Sequence, residues 1–274
     1  DKLPVTGVGA VQEIDKEGNC IIRLDKNYAD DCTLSHELLH CYYARKGYPR
    51  LRTLCTEKNI INYFAMQTEN SIIHKLICQE QDKRGIERIR DINDAQTIGT
   101  DISTEPVSKE AQIFYGMKIF DVVVRCGNWK EYYDIRLRYR FKNAYQYAQR
   151  IYENAMSQDY QTPFETRRAM IRVLKEINSI VFENGLESLY LDRNISTGFI
   201  PSERQLDQKV LSLFDVYKDA LTDDFTGEKM WTFVTKAESQ TSYFLLPSVT
   251  LEHALSEMSL REFLQECGIA YIVR

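Results

Sequence analysis

The chain has 274 residues, a formal net charge of -5 and a hydrophobic content of 43%, which is enough apolar material to bury a sizeable core. The acidic balance, with a pI near 5.6, gives no basic footprint for neutralising phosphates, so we expect no nucleic-acid partner. The chain contains no run of about 18 apolar residues, and its first residues lack a signal-peptide pattern. We therefore expect a soluble cytoplasmic protein with no membrane partner, and composition does not fix its oligomeric state.

The seven cysteines are scattered along the chain without a C-x-x-C pair. This pattern favours reduced thiols in a reducing compartment over a disulfide framework. We therefore expect all seven to carry thiols, in keeping with the cytoplasmic location.

The first third of the chain predicts a hairpin and two helices. Two short β-branched runs within residues 8–25 flank the turn-forming stretch Lys16–Asn19 and predict a β-hairpin. Thr33 is a candidate cap for a helix over 34–46, which Gly47 would end. A second helix is expected over 56–82. Residues 91–110, rich in Asp, Thr and Ser, have the composition of a linker.

Beyond the linker the pattern is mostly helical. Apolar residues at helical spacing predict helices over 141–155 and 163–185, and two capping boxes, Ser202 to Gln205 and Ser259 to Glu262, open later helices. Three segments are candidate strands: Trp231–Val234, Tyr243–Leu246 and Ile269–Val273. We therefore predict an α+β fold, with a small domain at residues 1–95 and a mostly α-helical accessory domain at residues 105–274.

The first helix contains the motif His36-Glu37-Leu38-Leu39-His40. Helix positions four apart lie on one face, so His36 and His40 can present their imidazoles to a single Zn²⁺ ion. Glu37 is rotated by about 100° from His36 and can reach a water on that ion as its general base. With only 4 histidines in the chain, a chance match to the motif is expected on the order of 0.005 times. The opposite stripe is expected to face the core: Leu34, Leu38, Cys41 and Tyr42.

A catalytic zinc normally has a third protein ligand, and the second helix offers two candidates. Glu69 lies in the middle of an apolar arc on this helix, where a buried carboxylate is costly unless a positive group meets it. Zinc is such a group, so Glu69 is the favoured third ligand. His74 is the alternative ligand, a catalytic donor to the oxyanion, or a surface histidine paired with Asn70. Other candidate oxyanion donors are Tyr42, Tyr43, Tyr48 and Tyr63.

The HELLH motif, preceded by a hairpin and followed by Glu69-Asn70 on a second helix, resembles the zincin metallopeptidases, over about residues 8–82. Within them it resembles the gluzincins and, in layout, the small ImmA/IrrE-type peptidases. The resemblance implies a zinc held by the two motif histidines and a downstream glutamate. It also implies a substrate strand lying against residues 20–25; the alternative for these residues is a hairpin that only packs on the helix. Ile73 departs from larger gluzincins, which have an aspartate there, and Cys41–Ala44 departs from the metzincin continuation.

Two functions follow from these features. The leading hypothesis is a zinc-dependent peptidase acting on a protein or peptide substrate, with water activated by Glu37. The alternative is a non-catalytic helical protein-binding module with a structural zinc or none. A structural site is normally closed by four protein ligands, and it has no need of a general base such as Glu37.

Overall fold

The computed structural model describes residues 10–14, 19–26, 30–56, 59–88, 104–126, 134–247 and 255–274. Its amino-terminal elements are strands β1 (Ala10–Ile14) and β2 (Cys20–Leu24), helix α1 (Asp31–Arg45), strand β3 (Arg52–Thr53) and helix α2 (Ile60–Lys83). Strands β1 and β2 form the expected antiparallel hairpin, whereas residues 15–18 of its turn lie outside the described part. The hairpin packs on α1.

The remaining elements follow in chain order. The helices are α3 (Lys109–Cys126), α4 (Asp134–Arg140), α5 (Lys142–Met156), α6 (Pro163–Glu183), α7 (Leu191–Asn194), α8 (Glu203–Leu206), α9 (Val210–Leu213) and α10 (Leu260–Glu266). The strands are β4 (Ile195–Ser196), β5 (Phe214–Thr222), β6 (Lys229–Thr235) and β7 (Gln240–Leu245). Helices make up most of the elements, and all the sheets in the described part of the chain are antiparallel, so the α+β class is confirmed.

The main core lies among four long helices, α2, α3, α5 and α6. Each contributes an apolar stripe at helical spacing, such as Ile72 and Leu76 on α2. Helices α3 and α5 approach closely at Gly116, where an added Cβ would lie 3.0 Å from the Ala144 carbonyl oxygen. A side chain here would push against the α5 backbone, so Gly116 allows the close approach of α3 and α5.

A second core lies between the three-stranded sheet β5-β6-β7 and the short helices α8, α9 and α10. Strand β4 links it to the amino-terminal part by pairing with β3. Arg167 of α6 links it to the helices, because its buried guanidinium binds Glu238 and the Gly198 carbonyl.

The division between the two cores does not coincide with the predicted boundary. The main core combines residues 64–77 with residues 113–195, and these segments lie on both sides of the expected linker. Residues 89–103 of that linker lie outside the described part of the chain. Helix α2 is therefore packed on α3 and α6, and α1 packs on α2.

Helix boundaries follow the predicted signals closely. Helix α1 begins at Asp31 because Asp30 caps it by accepting a hydrogen bond from the Thr33 N–H at 2.6 Å; the expected cap, Thr33, lies inside the helix. Gly47 has a φ of 78° and ends it as predicted. Both predicted capping boxes, at Ser202 and Ser259, are present.

The structure corrects two predictions from the sequence and adds one strand that was not predicted. The stripe expected to face the core is exposed at Leu38 and Tyr42, by 52% and 50%, because the histidine side of α1 packs on α2 and Leu39 and Tyr43 enter the core instead. Residues 269–273 form no strand; Ile272 packs against Gly47. Strand β5 was not expected, because its exposed polar positions hide the strand pattern.

The expectation of seven thiols is also wrong. Cys20 of β2 and Cys41 of α1 form a disulfide, with their Cα atoms 6.5 Å apart, because the hairpin packs on α1. The other five cysteines carry thiols. One premise of the cytoplasmic prediction is thereby removed. Within the described residues, none of the helices combines the length and apolarity needed to cross a bilayer.

Candidate metal centre

The two motif histidines lie one turn apart on α1 with their ring nitrogens facing each other. The Nε2 atoms of His36 and His40 are 3.1 Å apart. Two nitrogens bound tetrahedrally to zinc at about 2.0–2.1 Å are separated by about 3.3 Å. The pair is therefore spaced almost as zinc coordination requires.

His74, from the middle of α2, completes the group. Its ring centroid lies 4.8 Å from that of His36 and 5.3 Å from that of His40. One ligand nitrogen from each of the three histidines lies within 4.8 Å of the others. The helices that the sequence predicted thus bring three imidazoles together.

Asp121 of α3 orients His74 from behind. The Nδ1 of His74 lies 2.8 Å from Oδ1 of Asp121, so the imidazole donates to the carboxylate there and keeps Nε2 as its metal-binding atom. Arg125, one turn further along α3, contacts the other carboxylate oxygen at 3.2 Å. A histidine that binds zinc through one ring nitrogen usually donates a hydrogen bond to a carboxylate or carbonyl through the other.

Burial and the neighbouring groups favour the neutral form of the two motif histidines, which is the form that binds a metal. Burial, aided by the neighbouring His74, lowers the pKa of His36 to about 2 and that of His40 to about 3. Burial by itself raises the pKa of Asp121, but His74 and Arg125 outweigh it and hold that pKa well below its usual range. The two motif imidazoles are therefore neutral at pH 7, as zinc ligation demands.

Glu37 lies beside the histidines on α1 and is half-buried. Burial raises the pKa of its carboxyl above the ordinary value, and His74 opposes that shift. No hydrogen bond to the Glu37 carboxylate is found among the described residues. A carboxylate with a raised pKa and open acceptor positions is suited to taking a proton from water.

Glu69, the favoured third ligand in the sequence, is not brought into the histidine group. Its Oε1 contacts Nε of Arg50 at 2.7 Å, and its Oε2 accepts from the Leu51 N–H at 2.6 Å. Burial raises the pKa of Glu69, and Arg50 opposes this. Glu69 and His74 are separated by about 140° around α2, so His74 is the one directed at α1. The positive group that meets the buried carboxylate is thus Arg50.

The candidate tyrosines divide into two pairs. Tyr43 and Tyr48 line a small cavity beside the centre, together with His40, Ala44, Pro49, Arg50, Glu69 and Ile73. Their hydroxyls donate to the carbonyls of Leu76 and Gln161. Tyr42 and Tyr63 do not line this cavity.

Sequence reasoning missed Asp121 and Arg50. Asp121 interrupts the apolar run from Ile119 to Val124 on α3. An acidic residue within an apolar stretch of a helix indicates a buried carboxylate with a positive partner, and the same pattern had pointed to Glu69. Arg50 follows the first helix in a loop and carries no such signal.

Comparison with known protein families, with curated proteins and with solved structures finds no match to this chain. The function is therefore argued from the site alone.

Proposed function

We propose that the chain is a zinc-dependent peptidase in which His36, His40 and His74 hold the ion and Glu37 is the general base. The observation that carries this proposal is the convergence of the three imidazoles beside a half-buried glutamate on the same helix. Three protein ligands leave the fourth tetrahedral position for water or substrate, as in catalytic zinc sites. The ligand set differs from the gluzincin pattern, in which a glutamate is the third ligand.

The residues have distinct roles in peptide hydrolysis. Zinc bound here would polarise the substrate carbonyl and lower the pKa of a coordinated water. Glu37 accepts the proton from the attacking water and passes it to the leaving amine. Asp121 fixes the tautomer and orientation of His74 through the Nδ1 hydrogen bond.

The rival function is a protein-binding module in which zinc only stabilises the fold. Such a site is normally closed by four protein ligands. In the described part of the chain, the metal-ligating group contains three residues. A structural site also has no need of a general base such as Glu37. The three-residue ligand group and the Glu37 carboxylate therefore both favour the enzyme.

The substrate class in this proposal is a protein or peptide, and no nucleic-acid partner is included because the chain is acidic. The cytoplasmic location stays a prediction. Five thiols suit a reducing compartment, whereas the Cys20–Cys41 disulfide does not.

The test is cleavage of a mixed peptide library by zinc-loaded protein, with new termini identified by mass spectrometry. Glu37→Gln should keep its zinc and lose activity by about 100-fold or more, because the general base is removed. Glu80→Gln, a partly buried glutamate on α2 paired with Arg84, is the matched control and should stay active. Zinc-loaded wild type that cleaves nothing, or an active Glu37→Gln, would refute the enzyme and favour the binding module.

A further inference from the structure

Arg50 places a positive charge at the cavity beside the candidate metal. The cavity is lined by both His40 and Arg50. The Arg50 side chain is 51% exposed, so it is accessible to a ligand that enters from solvent.

The Arg50 guanidinium is held by an ion pair with Glu69, and some of its N–H groups remain available as hydrogen-bond donors. Its Nε contacts the buried Glu69 carboxylate, which the Leu51 N–H also anchors. Among the described residues, its two terminal nitrogens have no hydrogen-bond partner. An arginine fixed through Nε still presents the donors with which guanidinium binds a carboxylate.

The local charge balance favours an anion. Glu69 interacts with both Arg50 and Arg52, so one carboxylate is set against two guanidinium groups. A ligand carboxylate would offset the positive charge left over among Glu69, Arg50 and Arg52. A neutral peptide segment would leave the spare donors of Arg50 to water.

We propose that Arg50 is a specificity residue that selects substrates carrying a carboxylate next to the scissile bond. This inference rests on the proposed peptidase function. The carboxylate is either an acidic side chain or the free carboxyl terminus of a peptide, since both present the same group to the guanidinium. Glu69 is the positioning residue that holds Arg50 toward the cavity.

Three hydroxamates test the proposal through binding rather than turnover. Each carries a succinyl hydroxamate that ligates zinc. The first is coupled to alanine amide and has no carboxylate; the second, coupled to alanine, has a free terminal carboxylate; the third, coupled to aspartate amide, has an acidic side chain. Affinity for zinc-loaded protein is measured by calorimetry. At least one charged probe should bind wild type about tenfold or more tightly than alanine amide, because a charge-assisted hydrogen bond is gained. The tighter of the two charged probes identifies the source of the carboxylate.

Arg50→Met should remove this preference and Arg50→Lys should keep part of it, with zinc content measured for each variant so that loss of the metal is distinguished from loss of the preference. Arg261→Met is the matched control, because Arg261 is 40% exposed and paired with Glu203 in the second core region. Equal binding of all three probes to wild type, or a preference that survives in Arg50→Met, would overturn the inference alone. Failure of wild type to hold zinc or to bind the alanine-amide probe would instead refute the proposed function.

Discussion

His74 and Asp121, from two helices that pack side by side, are joined through Nδ1 and Oδ1 at 2.8 Å. The contact orients the imidazole whose other nitrogen belongs to the three-histidine group. Asp121 lies far along the sequence, yet it helps to define how the third histidine faces the motif. The site thus depends on the packing of α3 against α2 as well as on the HELLH helix.

Asp121→Asn is expected to weaken zinc binding by about 10–100-fold, because the amide cannot hold His74 through a charge-assisted hydrogen bond. The measurement is competition for zinc with a chelator of known affinity. Asp159→Asn is the control, since Asp159 also pairs with a basic group, Lys75 at 2.7 Å, but is 71% exposed. Equal zinc affinity in Asp121→Asn and wild type would show that the pair does not support the metal.

The metal-free protein is expected to lose stability as the pH falls from 7 to 5. His36 and His40 have folded pKa values of about 2 and 3, below the ordinary 6.5. The unfolded chain therefore binds protons that the folded chain rejects, and stability falls once the pH drops below 6.5. Each histidine contributes up to about 1.4 kcal/mol per pH unit.

The check is the free energy of urea unfolding at several pH values for chelator-treated protein. The double variant His36→Gln/His40→Gln should show a shallower loss between pH 7 and 5. Asp121 acts in the same sense but only at lower pH, because its lowered pKa adds stability that is lost as the pH falls below about 4. Identical slopes for wild type and the double variant would contradict the assignment of neutral, buried histidines.

Loss of the Cys20–Cys41 disulfide should destabilise the protein by about 3 kcal/mol, because the bond closes a loop of moderate length. Cys20→Ser can be compared with Cys55→Ser, which removes a thiol outside the disulfide, by urea unfolding without reductant. Alkylation of the unreduced, denatured wild type should label the other five cysteines. Labelling of all seven in protein kept from reductant would show that the bond does not form.

Much of the local structure was predictable from the sequence, since it depends on nearby residues. The hairpin, the HELLH helix and the capping boxes at Ser202 and Ser259 all follow from turn, cap and periodicity signals. Strand β5 was missed because its side chains are mostly exposed, which removes the alternation that marks a half-buried strand.

The candidate site was predictable only in part. The motif fixes His36, Glu37 and His40 on one helix, whatever the rest of the fold. The sequence pattern predicts that a positive group meets the buried Glu69 carboxylate, but it does not say whether that group is a metal ion or an arginine. The path of the loop after α1 decides this, because it brings Arg50 to Glu69. The direction of His74 likewise depends on how α2 is rotated against α1, which packing with α3 and α6 determines.

The most direct test of the account is zinc stoichiometry in purified wild type, His74→Ala and Glu69→Gln, measured by elemental analysis after removal of loosely bound metal. The account predicts one zinc per chain in wild type and in Glu69→Gln, and its loss in His74→Ala, with circular dichroism confirming that each variant folds. Zinc retained in a folded His74→Ala but lost from a folded Glu69→Gln would contradict the three-histidine centre and return Glu69 to the role of third ligand.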